Sequence, residues 1–326
     1  MKSVPVFSIC IPAFEQTHFL RQTLDSIKNQ IFTDYEIILS DDSISDNVQE
    51  LVKSYDFSGK LKYYRQRPSL GSPENWNFTI QKAQGEWIKI LHHDDSLFDE
   101  NTLVDLYAVV QKTKKNWIVG APVHPPPPKD RYCTILYPRG LFLLKLFPGI
   151  LGFGNCLGVP SVMAVKRDYC IPYNKDLIWL VDIEYYLQII NKIGFFEYFP
   201  KPFIWRNSGS HNLTHQFHQK PNIELKELFS LYKSFPNQFP WFLSIMISAK
   251  LIRICSIAGI THKEQLEQQD WKYSPLLLKM YFNSSSNIPN QKILVFFSKV
   301  VFKLSTKILG SFLMKRIQIG QEKIFN

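Results

Sequence analysis

Along the first 110 residues, unbroken apolar runs alternate with stretches whose apolar positions recur at helical spacing. The run "VFSICI" (6–11) reads as a buried strand, and "FLRQTLDSIKNQ" (19–30) as a helix carried by Phe19, Leu20, Leu24 and Ile27. "YEIILS" (35–40) is a second strand running into "DDSISD", followed by a helix through "NVQELVKSY" and a strand at "LKYYR" (61–65). "SPENWNFTIQKAQ" opens with helix-start residues, Ser72 before Pro73 and Glu74, and "EWIKILH" (86–92) is the next strand. "DENTLVDLYAVVQK" is helical again. This β-α-β-α-β-α-β order predicts an α/β fold with a mainly parallel sheet and helices on both faces.

In such sheets ligands bind beyond the carboxyl ends of the strands. Asp41 and Asp42 follow one strand, and His92, His93, Asp94 and Asp95 follow another, so both acidic loops emerge at one edge and can face each other across a cleft. The phosphate-binding loops common in this architecture are missing: the first strand enters "PAFEQTHFL", without GxGxxG, and no GxxxxGK[ST] occurs. A nucleotide bound here needs another counter-charge for its phosphates, and a divalent cation held by carboxylates supplies one. The "HHDD" cluster on its own also suits a metal-dependent hydrolase, with His124, His211 and His215 as further ligands.

The later chain is less regular. "APVHPPPPKDRY" predicts an extended connection, and the glycine-rich apolar stretch 139–168 suits a loop lining a pocket or facing a membrane. Residues 176–194 predict a strong helix, capped by Asp176 and ended by Gly194. From about 222 onward the tail reads as helices broken at Pro236, Pro240, Pro275 and Pro289.

Composition narrows the classes. With 326 residues, 45% hydrophobic and 20% charged, the chain can bury a sizeable core. Five scattered cysteines without CxxC argue against a disulfide framework or a zinc knuckle, and "MKSVPVFSICIPAFEQ" lacks leader features, so a cytoplasmic protein is expected. Charge is uneven. Lys+Arg against Asp+Glu is 10 to 16 for residues 1–110, 13 to 6 for 111–219, and 15 to 6 for 220–326. The basic remainder suits phosphates or an anionic membrane; no recognisable nucleic-acid motif accompanies it, and no nucleic-acid partner is expected.

"SICIPAFEQTHFLRQTLDSIKNQIFTDYEIILSDDSISD" followed by "NWNFTIQKAQGEWIKILHHDDSLF" resembles the donor half of family 2 glycosyltransferases with the GT-A fold. The likeness covers about 110 residues, thins between 155 and 215, and is not seen in the tail. It implies a GT-A domain over 1–220, with a nucleotide-sugar donor half (1–115) and an acceptor half (116–220), before a helical C-terminal region (221–326). By this resemblance Pro12, Ala13, Phe14 and Glu15 border the base and ribose. Asp42, with Asp41 beside it, accepts a hydrogen bond from the base, and Asp94 and Asp95 meet the metal and the ribose–diphosphate. Where the family often has Asp, this chain has His92. "NWN" (75–77) recurs in a subgroup of the family, making Asn77 a donor-binding candidate. "WRNSGSHNLTH" resembles the segment that closes over the donor phosphates, with Arg206 toward a phosphate and His211 toward the metal. Arg65 and Arg67 follow a strand at the same edge, within reach of a phosphate.

Asp182 in "WLVDIEYY" matches the family's acidic residue at the start of the acceptor-side helix, and its apolar neighbours would raise its pKa toward useful basicity. It is the expected general base, with Glu184 the fallback. The resemblance thus implies an inverting, Mn2+- or Mg2+-dependent transfer from a nucleoside-diphosphate sugar to a glycan or lipid-linked acceptor in surface polysaccharide synthesis. The Gln-x-x-Arg-Trp motif of processive polymerases is absent, so one sugar per acceptor is expected. A phosphohydrolase using His92, His93 and Asp94, and a non-catalytic nucleotide-sugar-binding protein, are the rivals. In the tail, Lys292, Lys299, Lys303 and Lys307 form one helical stripe opposite Val295, Phe297, Val301, Leu304 and Ile308. That pattern fits a helix lying at the inner face of the plasma membrane, or one packed on its own domain.

Overall fold

The computed structural model describes residues 4–124, 132–207, 221–265, 275–283 and 288–318. Strands β1 (Phe7–Ala13), β2 (Tyr35–Asp41), β3 (Leu61–Arg65) and β4 (Trp87–Ile90) alternate with helices α1 (Thr17–Lys28), α2 (Asn47–Lys53) and α3 (Ser72–Lys82). The four strands lie parallel in the order β3-β2-β1-β4. Every residue of β1 and β2 is buried, because helices cover both faces and leave no strand position facing water. In α1 the buried set is Leu20, Thr23, Leu24 and Ile27, the helical spacing read from the sequence.

The other half of the sheet runs mostly antiparallel. After β5 (Asp95–Leu97) and α4 (Thr102–Val110) come β6 (Trp117–His124), β7 (Tyr132–Leu136), α5 (Pro138–Leu146), α6 (Ile150–Phe153), β8 (Met163–Lys166), α7 (Val181–Ile193) and β9 (Glu197–Arg206). β8 lies between β4 and β6, antiparallel to both, while β9 runs parallel to β6 and antiparallel to β5. The stretch expected to be an irregular loop therefore holds two helices and a sheet strand. Gly120 on β6 allows close packing by β9: a Cβ there would lie 2.5 Å from the Phe203 ring.

Among the described residues four helices follow: α8 (Pro221–Ser234), α9 (Trp241–Ile257), α10 (Leu276–Asn283) and α11 (Ile288–Leu313). The chain then forms β10 (Met314–Gln318), which pairs antiparallel with β7. The helical region shares one hydrophobic core with the sheet, through residues such as Leu228, Leu243 and Leu278. β10 went unpredicted because its five residues, "MKRIQ", show no strand alternation strong enough to interrupt a helical pattern.

Helix α7 begins at Val181, not at Asp176. The buried Glu227 carboxylate of α8 accepts the backbone N–H groups of Ile178, Trp179 and Leu180 at 2.7, 2.9 and 2.7 Å. Those donors would otherwise serve a first helical turn. A distant carboxylate thus sets the start of the helix, and Gly194, at φ 86°, ends it as expected.

Candidate active site

A cleft of about 760 Å³ opens at the carboxyl ends of the parallel strands. Its walls come from the turn after β1, the loop after β4, the end of β9 and the start of α7. Pro12, Ala13 and Phe14 line it, and Phe14 is 46% exposed. Glu15 departs from its expected place. Its carboxylate accepts the N–H groups of Ile44 and Ser45 and the Ser45 hydroxyl, and those hydrogen bonds hold its pKa below the usual range. It ties two loops together while its neighbour Gln16 takes the cleft wall.

The paired aspartates after β2 divide their work. Asp41 is fully buried, accepts the Tyr63 hydroxyl at 2.6 Å and the Ser43 N–H at 2.9 Å, and lies off the cleft. Asp42 lines the cleft. Its carboxylate accepts the N–H groups of Leu70 and Gly71 and the Ser69 hydroxyl, drawing the 69–71 turn against the wall. Arg65 and Arg67 do not reach the cleft: Arg65 binds Asp46 and the Ser45 carbonyl, and Arg67 the carbonyls of Ser43 and Ile44. Asn77 also faces elsewhere, because its amide group exchanges two hydrogen bonds with the Tyr173 backbone at 2.9 and 2.7 Å. Asn75 and Trp76 occupy the wall in its place.

The loop after β4 brings ligand atoms of His92, Asp94 and Asp95 within 4.8 Å of one another. Its backbone is held from two sides. Ser161 accepts the His92 N–H at 3.0 Å, and the Thr23 hydroxyl lies 2.9 Å from the His93 carbonyl and 2.7 Å from that of Asp95. Burial lowers the His92 pKa to about 4, leaving a neutral imidazole packed on Trp76 with ring centroids 4.5 Å apart. Its buried Nε2 has no hydrogen-bond partner among the described residues. Burial, then the neighbouring Asp94, push the Asp95 carboxyl well above the usual carboxylate range. A lone imidazole nitrogen beside two crowded carboxylates fits a divalent cation. His93 is outside this group, its Nδ1 lying 3.2 Å from the Pro12 carbonyl. Beneath the loop, the buried Lys89 ammonium donates to the carbonyls of Ile90 and Ser161, and burial lowers its pKa to about 7.

Arg206 and Asp182 line the same cleft. Arg206 ends β9 opposite Asp95, and the next residue, Asn207, donates to the Asp94 carbonyl at 2.8 Å. Asp182 sits in the first turn of α7, half-buried, and accepts hydrogen bonds from Asn155 Nδ2 at 2.6 Å and the Ile183 N–H at 2.8 Å. Burial raises it to about 6, against the partial pull of those bonds and of Arg206. Glu184 is buried against Gln188 and lies off the cleft wall. His211 and His215 lie outside the described residues.

Several contributors escaped the sequence reading. Gly154, Asn155 and Gly158 line the cleft from within the stretch expected to line a pocket, although no motif singles out Asn155; Lys250 and Glu224, paired at 3.3 Å, bring the C-terminal helices to the wall.

Residues 8–154 match the profile of Glycosyl transferase family 2. Over this stretch, a little under half of its length, the chain is similar to glycosyltransferase family 2. Over 96 residues, 29% of its length, the chain is 34% identical to the GalNAc(5)-diNAcBac-PP-undecaprenol beta-1,3-glucosyltransferase of Campylobacter jejuni, spanning 31% of that protein. It is 30% identical over 118 residues, 35% of each chain, to the poly(ribitol-phosphate) beta-N-acetylglucosaminyltransferase TarP of Staphylococcus aureus. The chain thus spans about a third of the length of these relatives. Among solved structures, S. aureus TarS 1–349 in complex with UDP-GlcNAc matches with TM-score 0.58 at 12% identity, covering 94% of this chain and 90% of that one. The mannosyltransferase PcManGT of Pyrobaculum calidifontis, in complex with GDP-Man and Mn2+, matches with TM-score 0.54 at 11% identity, covering 93% and 88%. At such identities the likeness establishes the fold, and that fold is GT-A.

Proposed function

We propose that this chain is a metal-dependent, inverting glycosyltransferase that moves a sugar from a nucleoside diphosphate to a hydroxyl of a glycan acceptor. The observation that carries this reading is the sharing of one cleft by the His92, Asp94, Asp95 cluster and the basicity-tuned Asp182. Pro12, Ala13, Phe14 and Asp42 would border the nucleoside, and Arg206 would bring positive charge to the diphosphate. His92, Asp94 and Asp95 would hold a divalent cation, Mn2+ or Mg2+. Such an ion supplies Lewis-acid stabilisation of charge on the departing diphosphate.

Asp182 performs the proton chemistry. Its carboxylate is oriented by Asn155 and the Ile183 N–H, and it takes the proton of the acceptor hydroxyl as that oxygen attacks the anomeric carbon. One base and no covalent sugar intermediate give inversion. The donor half is assigned to 1–115 and the acceptor half to 116–220, with the helices of 221–326 completing the acceptor wall through Glu224 and Lys250. A lipid-linked acceptor in surface-polysaccharide synthesis, and a single sugar per acceptor, complete the proposal. The undecaprenol-linked acceptor in the name of the C. jejuni relative supports the first of these. The hydrolase rival is weakened by His93, whose ring nitrogen is bonded to Pro12 and not grouped with the metal ligands.

Thermal unfolding with UDP, dTDP, GDP and CMP, each with and without Mn2+, tests the donor site. Ligand at about a hundred times its dissociation constant adds about 2.7 kcal/mol of stability. A metal-dependent shift with one diphosphate is expected, and its identity names the base. No shift with any nucleotide, in protein that melts cooperatively, would refute the donor-site assignment.

A further inference from the structure

Helix α11 buries one face and leaves the other open. Gln291, Ser298 and Leu313 are buried, and Leu294, Val295, Phe302 and Leu309 pack partly against the core. Outward stand Ile293, Phe296, Phe297, Val300, Leu304, Ile308 and Phe312, with Phe296 70% exposed. Lys292, Lys299, Lys303 and Lys307, also exposed, precede Ile293, Val300, Leu304 and Ile308 by one position each, so a cationic row borders the apolar stripe along its length. The lysines therefore adjoin the exposed apolar residues, and Val295 turns inward, in contrast to the opposed faces expected from the sequence.

Neighbouring helices also expose apolar and basic side chains. Arg139 of α5 donates to the carbonyls of Ser311 and Phe312, which fixes α5 beside the end of α11. There α5 exposes Phe142, Lys145 and Leu146. Trp241, 76% exposed, opens α9 and contacts Phe242, which packs on Phe147 just past α5. Residues 271–321 contain no Asp or Glu.

We propose that this face docks on an anionic lipid surface, with α11 lying in the plane of the interface. Its apolar side chains enter the headgroup–acyl boundary, and the lysine row meets anionic headgroups. A second copy of the chain would set this lysine row against its like, and the absence of acidic residues offers no ion pairs to offset the repulsion. Among the described residues no helix is long and apolar enough to cross a membrane, which agrees with a helix lying flat. Helix α9 packs against α11, Arg253 lying over the Phe302 ring, and also carries Lys250 on the cleft wall, so the helical layer that meets lipid also borders the cleft. The docking goes beyond the transfer reading and stands whether or not sugar transfer occurs.

The test is co-sedimentation of the full chain with vesicles of phosphatidylcholine alone or in equal mixture with phosphatidylglycerol. Binding to the mixed vesicles, weakening with salt, is expected. Replacing Lys299, Lys303 and Lys307 by Gln should lower partitioning about fivefold per lysine, about a hundredfold together. Phe296→Ser with Phe297→Ser should weaken it further without lowering the melting temperature, because both rings are already exposed. Equal binding to both vesicle types, or none to either, overturns the proposal. So does a dimer by sedimentation that the two Phe→Ser substitutions dissociate, since the face would then be an interface between copies.

Discussion

Asp182→Asn removes the proposed base while leaving its surroundings in place. The carboxylate has two fixed donors, Asn155 at 2.6 Å and the Ile183 N–H at 2.8 Å, and Asn at 182 retains a carbonyl oxygen for one of them. A positioned general base contributes about 10²- to 10⁴-fold, so turnover should fall by that range, about 3 to 5 kcal/mol of barrier, with donor affinity unchanged. The pH dependence gives a second reading. Burial raises the carboxyl to about 6, so the acid form predominates below that pH and the rate should fall as pH drops through 6. About nine-tenths of the molecules would hold the base form at pH 7 and about one-tenth at pH 5. Asn155→Ala withdraws a bond that favours the charged form and should move this limb upward by about one unit. The assay is nucleoside diphosphate release in the presence of acceptor, measured from pH 5 to 8, with donor affinity measured separately. Equal turnover by wild type and Asp182→Asn, or an acid limb that persists unchanged in the variant, would refute the assignment.

Asp94→Ala and Asp95→Ala should each abolish the Mn2+-dependent part of the melting shift with the matching nucleoside diphosphate; an undiminished shift in both would place the metal elsewhere. Glu227→Ala strips a buried acceptor from three N–H groups and should cost about 3 kcal/mol in denaturant unfolding, with a lower kcat because Asp182 follows directly; a loss under about 0.5 kcal/mol would contradict the capping role. Asn77→Ala should reduce stability by about 1–3 kcal/mol and leave nucleotide affinity intact in calorimetry, the opposite of what a donor ligand would show.

The parallel half of the sheet and the edge where the cleft forms were legible in the chain itself. Buried strands and amphipathic helices have periods set by local geometry, and β3 was read at its observed bounds, 61–65. The acidic loops could be placed at one edge because parallel strands all present the same end. Which side chain of each loop meets the cleft depended on contacts far away in sequence. Glu15 turns to Ser45, Asp41 to Tyr63 and Asn77 to Tyr173, while Asp42 and Asp182 stay on the wall. Asp41 and Asp42 carry the same group, and only their neighbours in space separate a buried structural carboxylate from a cleft one. The start of α7 followed the same rule, since Glu227 lies in another helix. Local spacing thus determined the elements and the residue types that chemistry requires. Tertiary packing decided which of those residues point at one another, because hydrogen-bond demands of buried groups are met across the fold and leave no trace in local pattern.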